Sequence, residues 1–261
     1  MKFTVVGSQA SNSLSPKLHN WIYKSLNLNH SYSYLEVNEI TGEMINLYDG
    51  LNITNPFKNK VISYLNDMDP LANKTQSVNC IKVDNNKAIG YNTDYYGFSK
   101  LIEINKIDFS NKKIIVLGAG GVSNTICSYL YNHNYNFKIL NRNNENALSL
   151  INKIELDVYH VIKHFSLKNE KYDVIINCLS SDVDIVNYLK QIGHDFHLLD
   201  FYIDINYNLM DGMSSNINSD KLVDGMDMLI FQAIQSIEIW IENDISQNVD
   251  YNKLRNHIIG N

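Results

Sequence analysis

An ammonium and a carboxylate, Lys58 in "NITNPFK" at an expected helix start and Asp94 in "GYNTDYYGF" at an expected strand end, each stand among amides and hydroxyls. That combination suits proton transfer at an alcohol or ketone, with Lys58 and Asp94 as the acid–base pair. Asn79 in "QSVNC" and Ser13 and Ser15 in "SNSLSP" would join them on one rim, offering partners to a polyhydroxylated ligand. Each residue also has a bland reading: Ser15 as a helix cap, Asn79 as a turn former, Asp94 as an N-cap and Lys58 as a solvated lysine. Their company favours a site. Lys58 is expected at the third position of a helix capped by Asn55 and begun by Pro56, where the positive end of the helix dipole disfavours an ammonium. A lysine so placed serves a ligand better than it serves the helix.

A second chemistry lies in "IIVLGAGGVSNTICSYLY", where Gly118, Ala119, Gly120 and Gly121 connect a strand to a helix and Ser123 takes the third place of a GxGxxG pattern. Small residues let backbone N–H groups approach a pyrophosphate and set a helix N-terminus behind its charge. A glycine turn that binds nothing is the alternative. About 20 residues on, an NAD site would carry Asp or Glu; this chain has Asn141 and Arg142 in "LNRNNEN". A guanidinium there suits a 2′-phosphate, so NADP(H) is expected over NAD(H).

The elements that must position these groups alternate. "FTVVG", "YSYLEV" and "GLNIT" read as strands, "SLSPKLHNWIYKSLNL" as a helix with Ser15 as N-cap, and "VNCIKV" and "KAIGYN" as a hairpin followed by the helix "TDYYGFSKLIEI". A polar stretch marks a boundary near residue 105. Beyond it the βαβ unit and two further apolar strands, "YDVIINCLS" and "FHLLDFY", predict a parallel sheet covered by helices. The final "MDMLIFQAIQSIEIWI" reads as a helix apolar nearly all round, wedged between packed bodies. The expected class is α/β: an N-terminal substrate domain of residues 1–104 and 226–261 and a Rossmann-like domain of residues 105–225.

Composition excludes several classes. With 22 Lys plus Arg against 28 Asp plus Glu, the formal charge of −6 gives no footprint for nucleic acid. Cys80, Cys127 and Cys178 have neither disulfide nor zinc spacing and read as free thiols; no metal is expected. No apolar window reaches the roughly 18 residues of a membrane span, and a cytoplasmic protein is expected.

In order along the chain, "SNSLSPKLHN", "GLNITNPFKNKV", "SVNCI", "GYNTDYYGF", "VLGAGGVSNTI", "LNR" and "DGMDMLIFQAIQSIEIW" resemble the shikimate dehydrogenase family over almost the whole length. The resemblance implies NADP-dependent interconversion of 3-dehydroshikimate and shikimate, in aromatic amino-acid biosynthesis, in a cleft between the two domains. It implies Lys58 and Asp94 as the catalytic pair and Ser13, Ser15, Asn52, Thr54, Asn79 and Gln232 as ligand contacts. It further implies Gly118, Ala119, Gly120 and Gly121 at the pyrophosphate, Asn141 and Arg142 at the 2′-phosphate, and a monomer or homodimer. The chain departs from the family pattern at Asn55 and Phe57, where Ile and His are usual, and at Asn146, where a basic residue commonly assists Arg142. The "NCLSSDV" segment differs as well, and in "DFYID" Tyr202 falls one place early. These departures leave a relative acting on quinate or another cyclic hydroxy acid, or a weakly active nucleotide-binding paralogue, as alternatives.

Overall fold

The computed structural model describes residues 1–157, 160–162, 171–180, 183–191, 199–207 and 217–260. It divides into two compact units, Met1–Phe98 with Asp227–Asn261, and Ser99–Met226.

The first unit is built on a six-stranded mixed sheet of β1 (Lys2–Gly7), β2 (Ser31–Glu36), β3 (Gly50–Ile53), β4 (Asp67–Met68), β5 (Cys80–Asp84) and β6 (Lys87–Tyr91), in the order β2-β1-β3-β5-β6-β4. β1 pairs parallel with β2 and β3, and β5 runs antiparallel to β3 and β6. The β5–β6 hairpin turns at Asn85 and Asn86, both at positive φ (48° and 60°), a conformation asparagine tolerates in two-residue turns. The helix Met226–Ile241 returns to this unit and buries Trp240 (1% exposed), which stacks on Phe3 at 4.5 Å and donates its indole N–H to Ile81 O at 2.8 Å. Gly97 makes a close approach possible: a Cβ there would lie 2.5 Å from Met228 O and 3.1 Å from the Gln232 Cβ.

Three local expectations are corrected. Lys58 is not in an α-helix: Asn55–Pro56 is a cis peptide in a turn closed by Phe57 N–H to Thr54 O (3.0 Å), and the helical residues, Lys60–Tyr64, form a 3₁₀ helix. Ser15 is the first residue of the helix Ser15–Ser25 rather than its cap, Leu14 taking that place, because Ser13 Oγ already accepts from Ser15 N–H at 3.2 Å. Asp94 lies inside the first turn of the helix Thr93–Ile104, not at a strand end; Asn92 Oδ1 accepts from Tyr95 N–H (3.2 Å) ahead of it. β4 and the helix Pro70–Thr75 were not anticipated, although Asp69 caps that helix through Leu71 and Ala72 N–H and Pro70 opens it.

The second unit holds an all-parallel sheet of β7 (Ile114–Leu117), β8 (Phe137–Leu140), β9 (Val161–Ile162), β10 (Val174–Asn177), β11 (Phe201–Asp204) and β12 (Leu222–Val223), ordered β9-β8-β7-β10-β11-β12. β7 and β10 are buried at every position, as strands covered on both faces must be. β11 starts later than "FHLLDFY" suggested, where Phe201 meets Val174; the earlier residues 196–198 lie outside the described residues, as do Ser181 and Asp182 of "NCLSSDV". No helix among the described residues is long and apolar enough to cross a membrane.

Candidate active site

Within the first unit, the turn after β3 and the start of the helix Thr93–Ile104 bring Lys58 to Asp94. Lys58 Nζ donates to Asp94 Oδ2 at 2.6 Å, with side chains 14% and 8% exposed. The lysine turn is anchored by Val78 N–H on Lys58 O (2.9 Å). The other carboxylate oxygen, Oδ1, accepts from Asn79 Nδ2 at 2.9 Å. Asn79 in turn accepts Thr93 N–H (2.7 Å), and its two amide hydrogens are shared among three acceptors, Asp94 Oδ1, Thr93 Oγ1 (2.9 Å) and Gln232 Oε1 (3.3 Å). One amide therefore ties the start of one helix to the middle of another, and leaves the ammonium of the pair partly exposed.

The network runs on. Thr93 Oγ1 lies 3.1 Å from Ser236 Oγ, which accepts from Asn52 Nδ2 at 3.0 Å. Asn52 also donates to Asn79 O (3.1 Å) and accepts from Tyr32 OH (2.7 Å). Ser13 Oγ donates to Ser15 Oγ at 3.1 Å at the start of the helix Ser15–Ser25. Thr54 is half-buried beside Gly7, where a Cβ would sit 2.3 Å from Thr54 Cγ2. The structure thus assembles Asn52, Asn79, Asp94, Gln232 and Lys58 into one hydrogen-bonded chain, while Ser13 and Ser15 are bonded to each other. Sequence reasoning missed Tyr32 and Ser236. Ser236 had a signal, a hydroxyl one turn beyond Gln232 on an otherwise apolar helix; Tyr32 had none.

In the second unit the glycine turn sits at the end of β7, between β8 and β10, where the strand order reverses. Gly118 has φ of +103°, and a Cβ there would lie 3.1 Å from Cys178 C and O. Gly120 caps the helix Gly121–Asn132, and a Cβ on it would meet nothing within 4 Å. Its N–H is held by Ser123 Oγ (3.2 Å). The exposed backbone and open space above a 12-residue helix start fit a pyrophosphate. Ala119 is half-buried between the glycines. Past β8, Arg142 is exposed and Asn141 Nδ2 donates to Asn143 O (2.8 Å). Tyr202 is buried, its hydroxyl on Asp204 Oδ2 at 3.3 Å. The three cysteines are free, and burial pushes the Cys80 thiol up to about 12. Among the described residues no group of three or more His, Cys, Asp or Glu could hold a metal.

A six-stranded parallel sheet with a glycine turn at its reversal point defines the class, an α/β protein with a dinucleotide-binding type of fold. Residues 5–81 match the shikimate dehydrogenase substrate-binding domain and residues 100–206 match the shikimate/quinate 5-dehydrogenase family. The NADP(+) shikimate dehydrogenase of Clostridium beijerinckii is 32% identical over 269 residues, 95% of this chain and 96% of that protein. Among solved structures, shikimate dehydrogenases from Peptoclostridium difficile (28% identity, TM-score 0.80, 99% of both chains) and Aquifex aeolicus (29%, 0.80, 100% of this chain and 98% of that one) share the fold. The chain belongs to the shikimate dehydrogenase family.

Proposed function

We propose that this chain catalyses the reversible NADPH-dependent reduction of 3-dehydroshikimate to shikimate, a step toward chorismate and the aromatic amino acids. The observation that carries the reading is the Lys58–Asp94 pair, held at 2.6 Å and joined through Asn79 to Gln232 inside one unit. When bound, NADPH supplies the hydride that reduces the ketone carbon. Lys58 gives a proton to the oxygen that becomes the alcohol, and takes it back in the reverse direction. Asp94 orients the ammonium with one oxygen while Asn79 holds the other. Ser13 and Ser15 hold the carboxylate of the substrate; Thr54, Asn79 and Gln232 meet its hydroxyls, with Asn52 behind them.

Gly118, Ala119, Gly120 and Gly121 hold the pyrophosphate by their backbone, and Arg142 with Asn141 holds the 2′-phosphate. Arg142 is exposed at the end of β8, free of the acid that would repel that group. The substrate domain is residues 1–104 and 226–261, the NADP domain residues 105–225, and the working form is a cytoplasmic monomer or homodimer. Shikimate-dependent reduction of NADP⁺, followed spectrophotometrically with quinate and NAD⁺ in parallel, tests the reading. Turnover highest with shikimate and NADP⁺ is expected. Quinate-favoured or absent turnover would overturn the substrate, and equal or NAD⁺-favoured kcat/KM would overturn the cofactor.

A further inference from the structure

The second unit carries a buried acid that the proposed chemistry does not use. Asp204, the last residue of β11, is 2% exposed, and both of its carboxylate oxygens are taken. Oδ2 accepts from Asn177 Nδ2 (3.1 Å) and from Tyr202 OH (3.3 Å); Oδ1 accepts from Asn206 N–H and from Asn206 Nδ2, each at 3.0 Å. Burial raises the pKa of this carboxyl against the opposing pull of those donors. Asn177 closes β10 and stands opposite Asp204 in the parallel pairing. From this hub both amides reach one residue. Asn177 Oδ1 accepts from Leu179 N–H at 3.1 Å, and Asn206 Nδ2 donates to Leu179 O at 2.9 Å. Ile205 N–H adds a bond to Asn177 O (3.1 Å), and Cys178 N–H one to Leu117 O (2.9 Å). The chain just past β10 is thus held to the chain past β11 on one side. On the other it meets the glycine turn, where a Cβ on Gly118 would lie 3.1 Å from Cys178 C and O.

A sheet of this order seats a dinucleotide across the carboxyl ends of its strands, one mononucleotide on each side of the point where the order reverses. Asn141 and Arg142, the proposed partners of the 2′-phosphate, follow β8 on one side; β10 and β11 lie on the other. We infer that Asp204 is a positioning residue for the nicotinamide half of NADP(H), fixing through Asn177 and Asn206 the backbone of Leu179 at the carboxyl end of β10. This rests on the proposed cofactor. The hub needs an acid because every group around it donates. An amide of the same shape would turn its own N–H groups either toward Asn177 Nδ2 or toward the two Asn206 donors, so Asp204→Asn loosens the hub without opening a cavity.

Titration calorimetry on the whole chain with two probes tests the inference: NADP⁺, and adenosine 2′,5′-bisphosphate, which carries the 2′-phosphate but lacks the nicotinamide half. Asp204→Asn is expected to weaken NADP⁺ roughly ten-fold, the size of one lost buried hydrogen bond, and to leave the bisphosphate within about two-fold of wild type. Asn206→Ala, which removes the strap to Leu179 O and keeps the acid, is expected to act in the same direction. A merely structural role would loosen the whole unit and weaken both probes together. Unchanged NADP⁺ affinity in Asp204→Asn, or equal weakening of the two probes, would therefore overturn the inference. Should Asp204→Asn fail to fold, Asn206→Ala carries the test: weakening of NADP⁺ alone supports the inference, and unchanged affinity or equal weakening overturns it. A wild-type protein that binds neither probe would instead remove the proposed cofactor on which it rests.

Discussion

Lys58 is the residue on which proposed turnover depends most, because it is the ammonium of a pair whose carboxylate is already satisfied on both oxygens. Replacing it with Ala removes the proton donor and leaves Asp94 its bond from Asn79. The expected outcome is a fall in kcat of about 10²- to 10⁴-fold with a thermal midpoint close to that of the unmodified chain, read by assay and calorimetry on the same preparation. His19 makes a different prediction, on stability. Burial lowers its pKa to about 3 in the folded protein against an ordinary 6.5, so the unfolded chain takes up a proton that the folded chain refuses. Stability is therefore whole above about pH 6.5 and is lost as pH falls toward 3, by about 1.4 kcal/mol per unit, or roughly 2 kcal/mol at pH 5. Urea unfolding at pH 5 and pH 7 should show that loss in the wild type, and His19→Phe should flatten it.

At the scale of elements, the glycine turn carries a conformational demand as well as a steric one. Gly118 sits at φ +103°, where an L side chain is strained, and a Cβ there would press on the Cys178 backbone at 3.1 Å. Gly120, one residue before the helix Gly121–Asn132, has open space where a Cβ would go. The two glycines should thus answer differently to the same change. Gly118→Ala is expected to destabilise the fold by about 1–2 kcal/mol or more from backbone strain alone. Gly120→Ala is expected to leave stability near the wild-type value while weakening NADP⁺, because the methyl occupies the space a pyrophosphate needs. Thermal unfolding without ligand, paired with NADP⁺ titration, separates the two; equal behaviour would argue against a phosphate-binding role for this turn.

Taken whole, the chain builds its first unit from two distant stretches, Met1–Phe98 and Asp227–Asn261. The second stretch supplies Gln232 and Ser236 to the polar network and Trp240 to the core, where it stacks on Phe3 and bonds to Ile81 O. It is closed by Asp227, which accepts from Tyr251 OH and from Arg255 Nε (3.3 Å). Trp240→Ala removes a fully buried ring and should cost about 3–5 kcal/mol. Hydrogen exchange should show that loss of protection in β1, β3 and β5, which surround the ring, while β7 and β10 of the second unit keep theirs. Uniform loss across both sheets would mean that the units unfold as one.

Much was legible because it follows from local chemistry. Alternating apolar runs specify strands and helices through burial, and the glycine turn declares itself through the backbone conformation only glycine adopts freely. Lys58, Asp94, Asn79 and Gln232 were nameable by residue type and by resemblance, and the structure brings them together. What the sequence could not decide was how these groups reach one another. The Lys58 turn reads as a helix start because Asn–Pro is a common helix opening, yet the chain there turns back on Thr54 O before a 3₁₀ helix begins. Tyr32 and Ser236 join the network from a sheet edge and from a helix 184 positions beyond Asn52. Sequence periodicity reports which face of an element is buried, but hydrogen bonds between elements depend on strand order and helix crossing. Those are settled only when long-range packing closes, as Gly97 against Met228 O allows here.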